Sequence, residues 1–183
     1  MTIKPFVGQP IERLEDVRLL RGSGQYVDDL VREDMLHAAV LRSAVGHGIV
    51  RSIDVSRARK LPGVQSVITA IDLGNPTPRV PMRLQPMSEF EAFAQPVMAS
   101  DKVRYVGEAL AMVLADSAAI AEDALGEIAV NIEPLPAVPN HMIAAGNQTL
   151  LFEEQGTNIA MKFRAVLGDA EAAFKGAPYV RRE

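Results

Sequence analysis

A run of prolines between Gly74 and Met98 restricts the fold of this chain more than any other feature. The stretch GNPTPRVPMRLQPMSEFEAFAQPVM contains five prolines, at positions 76, 78, 81, 86 and 96. Proline lacks an amide hydrogen and fixes its φ angle, so this stretch cannot form a long helix and is poorly suited to a sheet. We therefore predict a long loop that separates two regular regions. Loops of this length are usually functional, docking or disordered, and a docking loop and a mobile surface loop both remain open interpretations.

Three short strands are predicted before this loop. Their sequences are LHAAVLRS, GIVRSIDVS and GVQSVITA, which combine alternating apolar positions with many β-branched residues. Between the second and third strands, Asp54 or Ser56 can cap a short helix over SRARKL. Pro62 and Gly63 are expected to end that helix.

A strand–helix–strand pattern is predicted after the loop. KVRYVGEALAMVLAD predicts one or two buried strands that are interrupted at Gly107 and include Val103, Tyr105 and Leu110 to Leu114. Asp116 or Ser117 is expected to cap a helix over SAAIAEDALGEI, because its apolar residues form one stripe. EIAVNI then alternates cleanly and predicts a further strand, which ends at EPLPAVP.

The last part of the chain repeats these signals without completing them. NIAMKFRAV predicts a strand, and Gly168-Asp169 is expected to start a helix over AEAAFKG. PYVRRE then begins what looks like another extended segment. Because a natural domain seldom ends on a strand without its neighbour, we expect this sequence to be the front part of something longer. The segment from Ile159 to Val166 is expected to fray or self-associate in the isolated chain.

Composition excludes several classes of protein. A hydrophobic content of 48% over 183 residues is typical of one globular domain with an extension. The chain has no cysteine, which excludes disulfides, thiolate metal sites and a thiol nucleophile. The formal net charge of −4 gives no basic surface for nucleic acid. The sequence contains no long apolar run and no export signal, so we expect a cytoplasmic protein that binds neither nucleic acid nor membrane.

Residues 21–29 read RGSGQYVDD, which begins like a dinucleotide-binding loop. Such a loop needs a buried strand before it and a third glycine three residues after the second, where Val27 stands. The preceding ERLEDVRLL is too charged for a central strand, and Asp28 and Asp29 would repel phosphate. The stretch is therefore not predicted to bind phosphate, and its glycines need another explanation.

The histidines do not have the spacing of a metal site. His37 and His47 lie ten residues apart and His141 lies far from both, so no pair falls on one face of a helix. We interpret all three as solvated or hydrogen-bonded side chains. His47 is expected to be the most accessible of them, because glycines flank it.

Serine, carboxylate and methionine chemistry is not supported either. Ser23 is not in a nucleophile elbow, and Glu108, although it follows a glycine, is more commonly capped or salt-bridged between apolar strands than used as a base. The acidic pairs 28–29 and 153–154 are adjacent, so in extended structure their side chains point apart. Packing is the expected role of Met82, Met87, Met98 and Met112. No catalytic, cofactor-binding or metal-binding residue is predicted in this chain.

Several separated stretches together resemble one known family. They are RLEDVRLLRGSGQYVDD, VLRS, GIVRSID, LPGVQSVITAIDL, KVRYVGEALAMVLADS, AEDALGEIAV and EPLPAV. In this order they are similar to the N-terminal portion of the molybdenum-binding large subunit of the xanthine dehydrogenase and aldehyde oxidase family, especially its carbon monoxide dehydrogenase-like branch. The resemblance implies an α+β fold, the α/β hammerhead domain, with a mixed sheet and a few helices. It places this domain at residues 22–138, after an N-terminal extended segment (1–21) and before a linker that starts the next molybdenum-binding domain (139–183).

The same resemblance sets expectations for function. The molybdopterin-type cofactor and the catalytic glutamate of the family lie beyond this portion, and Val106-Gly107-Glu108 matches the hammerhead motif instead. RGSGQYVDD corresponds to an ordered segment before the first strand, with glycines for tight turns. The expected role is therefore a non-catalytic scaffold in a molybdenum hydroxylase, whose partners are the remaining molybdenum domain and iron–sulfur and flavin subunits. The alternative is a stand-alone interaction domain that docks through residues 74–98.

Overall fold

The structure is a computed structural model that describes residues 7–81 and 88–181. It divides the chain into two compact units, Met1–Leu36 and His37–Glu183. Within the described residues, no helix has both the length and the apolar character required to cross a membrane.

The first unit contains helix α1 (Asp16–Leu20) and a 3-10 turn at Val27–Asp29. The helix lies within residues 1–21, for which the sequence predicts an extended segment. The helix is closed by Gly22, which follows its C-cap Arg21 and has a φ of 70°. The amides of Gly22 and Ser23 donate to the carbonyls of Leu19 and Arg18, each at 3.0 Å. This is a Schellman cap, which favours glycine because other residues are strained at positive φ. The first glycine of RGSGQYVDD therefore ends a helix.

The second glycine of that stretch has a different reason. A Cβ atom on Gly24 would lie 2.7 Å from Cδ2 of Leu19, so glycine there lets the chain return past the helix without displacing the end of that side chain. Asp29 then accepts a hydrogen bond from the amide of Tyr26 at 2.9 Å, which closes the 3-10 turn. The expectation of tight turns in this segment is confirmed.

The second unit is built on two antiparallel three-stranded sheets. The first sheet has the order β1–β5–β3 and the second the order β4–β2–β6. The strands are β1 (His37–Arg42), β2 (Gly48–Asp54), β3 (Val64–Thr69), β4 (Lys102–Val103), β5 (Ala109–Ala115) and β6 (Ala129–Pro134). The α+β class is confirmed, and the sheet residues are divided between two sheets.

The first sheet carries the larger core. β5 is its central strand and pairs with both neighbours, with Ala111 opposite Leu41 on one side and Thr69 on the other. Since both faces of β5 are covered, its sequence is a continuous apolar run. Helix α3 (Ala118–Leu125) covers the sheet with Ala121 and Ala124, which are fully buried.

Helix α3 begins as predicted. Ser117 is its N-cap, and the Ser117 hydroxyl accepts a hydrogen bond from the amide of Ile120 at 3.3 Å. Gly63, which the sequence assigns to a turn, has a φ of 84°. Its missing Cβ atom leaves room for Cδ1 of Ile120, which would otherwise lie 2.8 Å away. The helix predicted over SRARKL is only a 3-10 turn at Ala58–Lys60, preceded by a hydrogen bond from Ser56 N–H to Asp54 Oδ1 at 2.9 Å.

The proline-rich stretch is a long loop, as predicted, in its described parts. It contains the short helix α2 (Ser88–Glu91) and a bridge between Arg79 and Pro96. Arg79 also donates through Nη1 to the carbonyl of Ala94 at 3.1 Å. Two arms of the loop are thus held together, while Met82 and Met87 lie outside the described residues.

After β6 come helices α4 (His141–Ala145) and α5 (Ala170–Gly176). The latter starts after Gly168-Asp169 as predicted, and Asp169 is its N-cap. The strand predicted over NIAMKFRAV is wrong: residues 158–166 form no strand in the structure. An alternating pattern becomes a strand only when a neighbour supplies ladder hydrogen bonds, and no other described strand pairs with this segment. We call the exposed residues 161–181 the tail.

Candidate functional site: the polar junction between the sheets

Three polar or charged residues are buried in the part of the chain that the structure describes: Ser43, His47 and Glu108. Ser43 and His47 lie on the connection from β1 to β2, and Glu108 lies on the connection from β4 to β5. Each of these two connections passes from one sheet to the other. We call the three residues the polar junction, because they occupy the place where the chain crosses between the sheets.

The two crossing segments are hydrogen-bonded to each other. The amide of Ser43 donates to the carbonyl of Glu108 at 2.9 Å, and the amide of Gly107 donates to the carbonyl of Ser43 at 2.8 Å. Arg42 adds a bond from Nη1 to the carbonyl of Gly107 at 2.9 Å. The φ of Gly107 is 93°, a conformation that other residues rarely adopt. The Val-Gly-Glu motif is therefore a structural turn.

Glu108 closes this turn with its side chain. Its Oε2 atom accepts a hydrogen bond from the amide of Arg104 at 2.5 Å, and the residue is 1% exposed. Its Oε1 atom has no hydrogen-bond partner among the described residues. Burial raises the pKa of the Glu108 carboxyl above its ordinary value, because the charged form loses water, while the amide and the charge of Arg104 oppose that rise. The capped carboxylate expected from the sequence is confirmed.

His47 is buried, which corrects the expectation that flanking glycines would leave it accessible. Its Nδ1 atom lies 2.7 Å from the carbonyl of Pro136, and its own carbonyl accepts a hydrogen bond from Leu135 at 2.8 Å. The reason is the position of Gly48, where a Cβ atom would lie 2.7 Å from the carbonyl of Glu133. Glycine here allows β6 to approach closely, and that strand with the residues after it covers the histidine.

The geometry of the junction is that of a scaffold. The Ser43 hydroxyl donates to the carbonyl of Val45 at 2.8 Å, so it closes a local turn. A general base must reach the proton that it removes, and the enclosed Glu108 carboxylate instead holds a backbone amide. These contacts fix the two crossing segments relative to each other, while Nε2 of His47 and Oε1 of Glu108 have no hydrogen-bond partner among the described residues.

Next to the junction, a compact surface loop is attached to the sheets. Residues 147–158 form this Ω loop, whose ends are joined by a hydrogen bond from the amide of Asn158 to Oδ1 of Asn147 at 2.8 Å. Inside it, the Asn158 side chain accepts from the amide of Leu151 at 2.8 Å and donates to the carbonyl of Thr149 at 2.7 Å. The loop therefore keeps its shape through its own asparagines.

Arg104 and Lys102 attach the Ω loop to the rest of the unit. Arg104 donates through Nε to the carbonyl of Leu151 at 2.9 Å, and its guanidinium lies 4.8 Å from the centre of the Phe152 ring. Lys102 forms an ion pair with Glu153, and this bond lowers the pKa of the Glu153 carboxyl. Phe93 of the proline-rich loop meets Phe152 edge to face, with 5.2 Å between ring centres.

A cleft of about 590 Å³ lies beside these contacts. The start of the proline-rich loop, Asp101 and Arg104 line it, together with Phe152 and Glu154 of the Ω loop. Both signs of charge are present on its walls. The sequence does not predict this arrangement, because Arg104 and Leu151 are far apart in the chain. The only local signal for it is the arginine within the turn motif.

The remaining candidate residues are not brought together. Within residues 7–81 and 88–181, no three histidine, aspartate or glutamate side chains are arranged to hold a metal ion. His37 lies on β1 and His141 at the start of α4, while Ser23 is exposed at the cap of α1. Met98 is buried and Met112 half-buried, which confirms the packing role predicted for these two methionines.

Comparison with known proteins assigns this architecture to a family. Residues 21–136 match the sequence profile described as aldehyde oxidase and xanthine dehydrogenase, a/b hammerhead domain. The nicotine 6-hydroxylase large subunit of Paenarthrobacter nicotinovorans is 35% identical over 176 residues, which are 95% of this chain and 21% of that protein. The carbon monoxide dehydrogenase large chain of Afipia carboxidovorans is 34% identical over 186 residues, 94% of this chain and 22% of that protein.

A solved structure gives the same result. The Cu,Mo-CO dehydrogenase in its carbon monoxide reduced state superimposes with a TM-score of 0.66 and 33% identity, covering 81% of this chain and 18% of that one. The chain belongs to the aldehyde oxidase and xanthine dehydrogenase family and has its α/β hammerhead fold. Within the family it is similar to the hammerhead portion of large subunits, including those of carbon monoxide dehydrogenases. It spans about a fifth of the length of the curated relatives it matches.

Proposed function

We propose that this chain is the scaffolding portion of a molybdenum hydroxylase large subunit and has no catalytic activity by itself. In the whole enzyme, an oxygen atom from water would be inserted at a carbon centre, and the electrons would pass to iron–sulfur and flavin partners. Support comes from the family membership and from the molybdenum in the name of the similar Cu,Mo-CO dehydrogenase. We further propose that the enzyme is cytoplasmic, in keeping with a chain that contains no cysteine.

The closed polar junction is the observation that carries this proposal. Glu108, the carboxylate most suited to act as a base, is enclosed and holds the Arg104 amide. The described residues also do not gather a donor set for a metal ion, and the chain offers no cysteine. These residues do not fit a molybdenum centre, so we assign the contacts of the molybdopterin-type cofactor to other parts of the large subunit.

The tail supports the proposed partners. Its large apolar side chains are exposed, including Phe163, Val166, Leu167, Phe174 and Tyr179. So many large apolar side chains exposed in one short segment favour a surface that another polypeptide covers. We propose that residues 139–183 lead into the next molybdenum-binding domain and that this domain covers the tail, while residues 22–138 form the hammerhead domain proper.

Metal and pterin analysis of the purified 183-residue chain tests the division of labour. Molybdenum is measured by mass spectrometry, the pterin by fluorescence after oxidation, and activity by dye reduction with aldehydes, purines and carbon monoxide. A whole carbon monoxide dehydrogenase serves as the positive control in each assay. We expect no bound pterin and no turnover in the short chain. A stoichiometric pterin, or turnover by the chain alone, would contradict the proposal.

A stand-alone interaction domain is the second candidate, and the cleft beside the proline-rich loop favours it. In that case the loop at residues 74–98 would be the docking surface. The DNA around the coding region separates the two functions. A reading frame that continues into, or lies next to, the remaining molybdenum domain supports the scaffold, whereas its absence supports the interaction domain.

A further inference from the structure

Arg104 makes the most varied contact with the Ω loop among the described residues. Its Nε atom binds the carbonyl of Leu151 at 2.9 Å, and its guanidinium lies over the ring of Phe152. A guanidinium on an aromatic face depends on a planar cation held at a fixed angle, so a lysine cannot replace it. The side chain of Arg104 must therefore leave the backbone in one direction for both contacts to form.

The Ω loop that Arg104 holds has hydrogen bonds of its own that maintain its shape. The amide of Leu151 is bound to the Asn158 side chain, and the amide of Asn158 is bound to the Asn147 side chain. The asparagines maintain the shape of the loop, but they do not attach it to the sheets. The loop is attached by Arg104, by the ion pair of Lys102 with Glu153, and by Phe93. Nδ2 of Asn158 also donates to the carbonyl of Ala144 on α4 at 3.1 Å.

The backbone of Arg104 is itself fixed by Glu108. The Arg104 amide donates to Oε2 of Glu108 at 2.5 Å, and the Glu108 amide donates to the carbonyl of Tyr105 at 3.3 Å. Burial of a carboxyl group is costly unless it is hydrogen-bonded, and the bond to the Arg104 amide needs an acceptor oxygen at the position of Oε2, which glutamine can also supply and the shorter aspartate cannot. Glu108 thus binds the backbone of the residue whose side chain holds the loop.

We propose that Glu108 is a positioning residue for the attachment of the Ω loop. By binding the Arg104 amide it sets the direction of the Arg104 side chain, and the loop stays docked on the sheets because of that direction. This positioning role belongs to the 183-residue chain alone. Its consequence in the whole enzyme, that the docked loop fixes where the chain leaves the hammerhead domain towards the next one, rests on the proposed function.

Amide hydrogen exchange in the 183-residue chain tests the proposal. The amides of Leu151 and Asn158 report on the Ω loop, and the amide of Val113 on β5 reports on the core. In Arg104→Ala, we expect the loop amides to exchange about tenfold faster, because a charge-assisted hydrogen bond and a cation–π contact are lost, while Val113 is unchanged. Arg51→Ala, which removes a different exposed ion pair on β2, is the matched control and should leave the loop unchanged.

The Glu108 variants separate positioning from general packing. Glu108→Ala should release the loop as Arg104→Ala does, and the double variant should be no faster than either single one. Glu108→Gln should restore protection, because its amide oxygen can accept from Arg104. Glu108→Asp is the second variant if the alanine protein does not fold, and its shorter side chain should release the loop.

Three results would overturn the proposal. One is additive acceleration of loop exchange in the double variant. Another is loss of loop protection in Glu108→Gln. The third is a loop that stays protected in Glu108→Asp. None of these measurements depends on molybdenum or on activity, so the outcome is independent of the test of the proposed function.

Discussion

The two sheets and the tail of the same unit differ in what covers their apolar side chains. On β5, Ala111 and Val113 are 0% exposed, because strands pair on both sides and helix α3 covers the sheet. In the tail, Phe163 is 81% and Leu167 100% exposed. Both regions are rich in apolar residues and both contain a well-capped helix. The difference shows that burial here depends on the presence of a neighbouring element, and not on apolar content.

The largest expected effect is on the free energy of unfolding, when a leucine of the sheets and a leucine of the tail are each truncated to alanine. Leu110 is 2% exposed and packs with Ala99 and Val103. Leu110→Ala should lower the free energy of unfolding by about 2–5 kcal/mol, since it removes buried methyl groups and leaves a cavity. Leu167→Ala, the matched control in the tail, should change it by less than about 0.5 kcal/mol. Equal effects in urea denaturation would show that the tail is part of the cooperative core.

Removal of a helix cap is expected to have a smaller effect on stability, again with one cap in the sheets' region and one in the tail. Ser117 caps α3 and Asp169 caps α5, each by accepting from the amide three residues later. Ser117→Ala should lower the free energy of unfolding by about 1 kcal/mol. Asp169→Ala should leave it unchanged and reduce only the helical circular dichroism, because a short isolated helix is marginal in water. A loss of global stability in Asp169→Ala would contradict the independence of the tail.

The smallest effect is a change in the pH dependence of stability. Burial raises the pKa of Glu108 in the folded chain, so the folded state binds this proton more tightly than the unfolded state. The protonated Glu108 carboxyl therefore contributes fully to the stability of the folded chain below the pKa that it has in the unfolded chain. This contribution is lost as the pH rises through the pKa that it has in the folded chain. Arg104 and Asp101 are the charged groups that act on it.

Glu108→Gln removes this titration. Relative to the unmodified chain, the variant should therefore gain stability as pH rises from the ordinary range of a glutamate towards neutrality. Urea denaturation at a series of pH values gives the slope, and any constant offset between the two proteins does not matter. Leu167→Ala should keep the original slope. A Glu108→Gln protein with an unchanged slope would show that the burial of Glu108 does not affect its protonation.

Local signals in the sequence were sufficient for much of the fold. The strands before and after the proline-rich loop, the Ser117 cap and the Asp169 cap were all predicted, because each depends on residues close together in the chain. Tyr105 was placed in a buried strand but is 42% exposed on the turn after β4. The Glu108 side chain ends the strand there by binding the Arg104 amide, a contact that alternation does not reveal.

Contacts between distant residues account for the other errors. His47 is buried because β6 approaches Gly48, and nothing near position 47 indicates that strand. Residues 158–166 alternate as cleanly as β6 does, but β6 has β2 as its neighbour. For the same reason, the attachment of the Ω loop by Arg104 was not predicted. A single sequence shows which secondary structure a segment favours. Whether the segment forms it depends on a neighbouring segment, which only the structure shows.

Hydrogen exchange at two segments of the purified chain tests the account most directly. The chain is first shown to be monomeric by light scattering, and amide exchange is then compared between Leu110–Leu114 and Ile159–Val166. We expect strong protection in the first segment and exchange close to that of an unfolded peptide in the second. Equal protection of both segments in a clean monomer would contradict it, because the tail would then need no covering polypeptide.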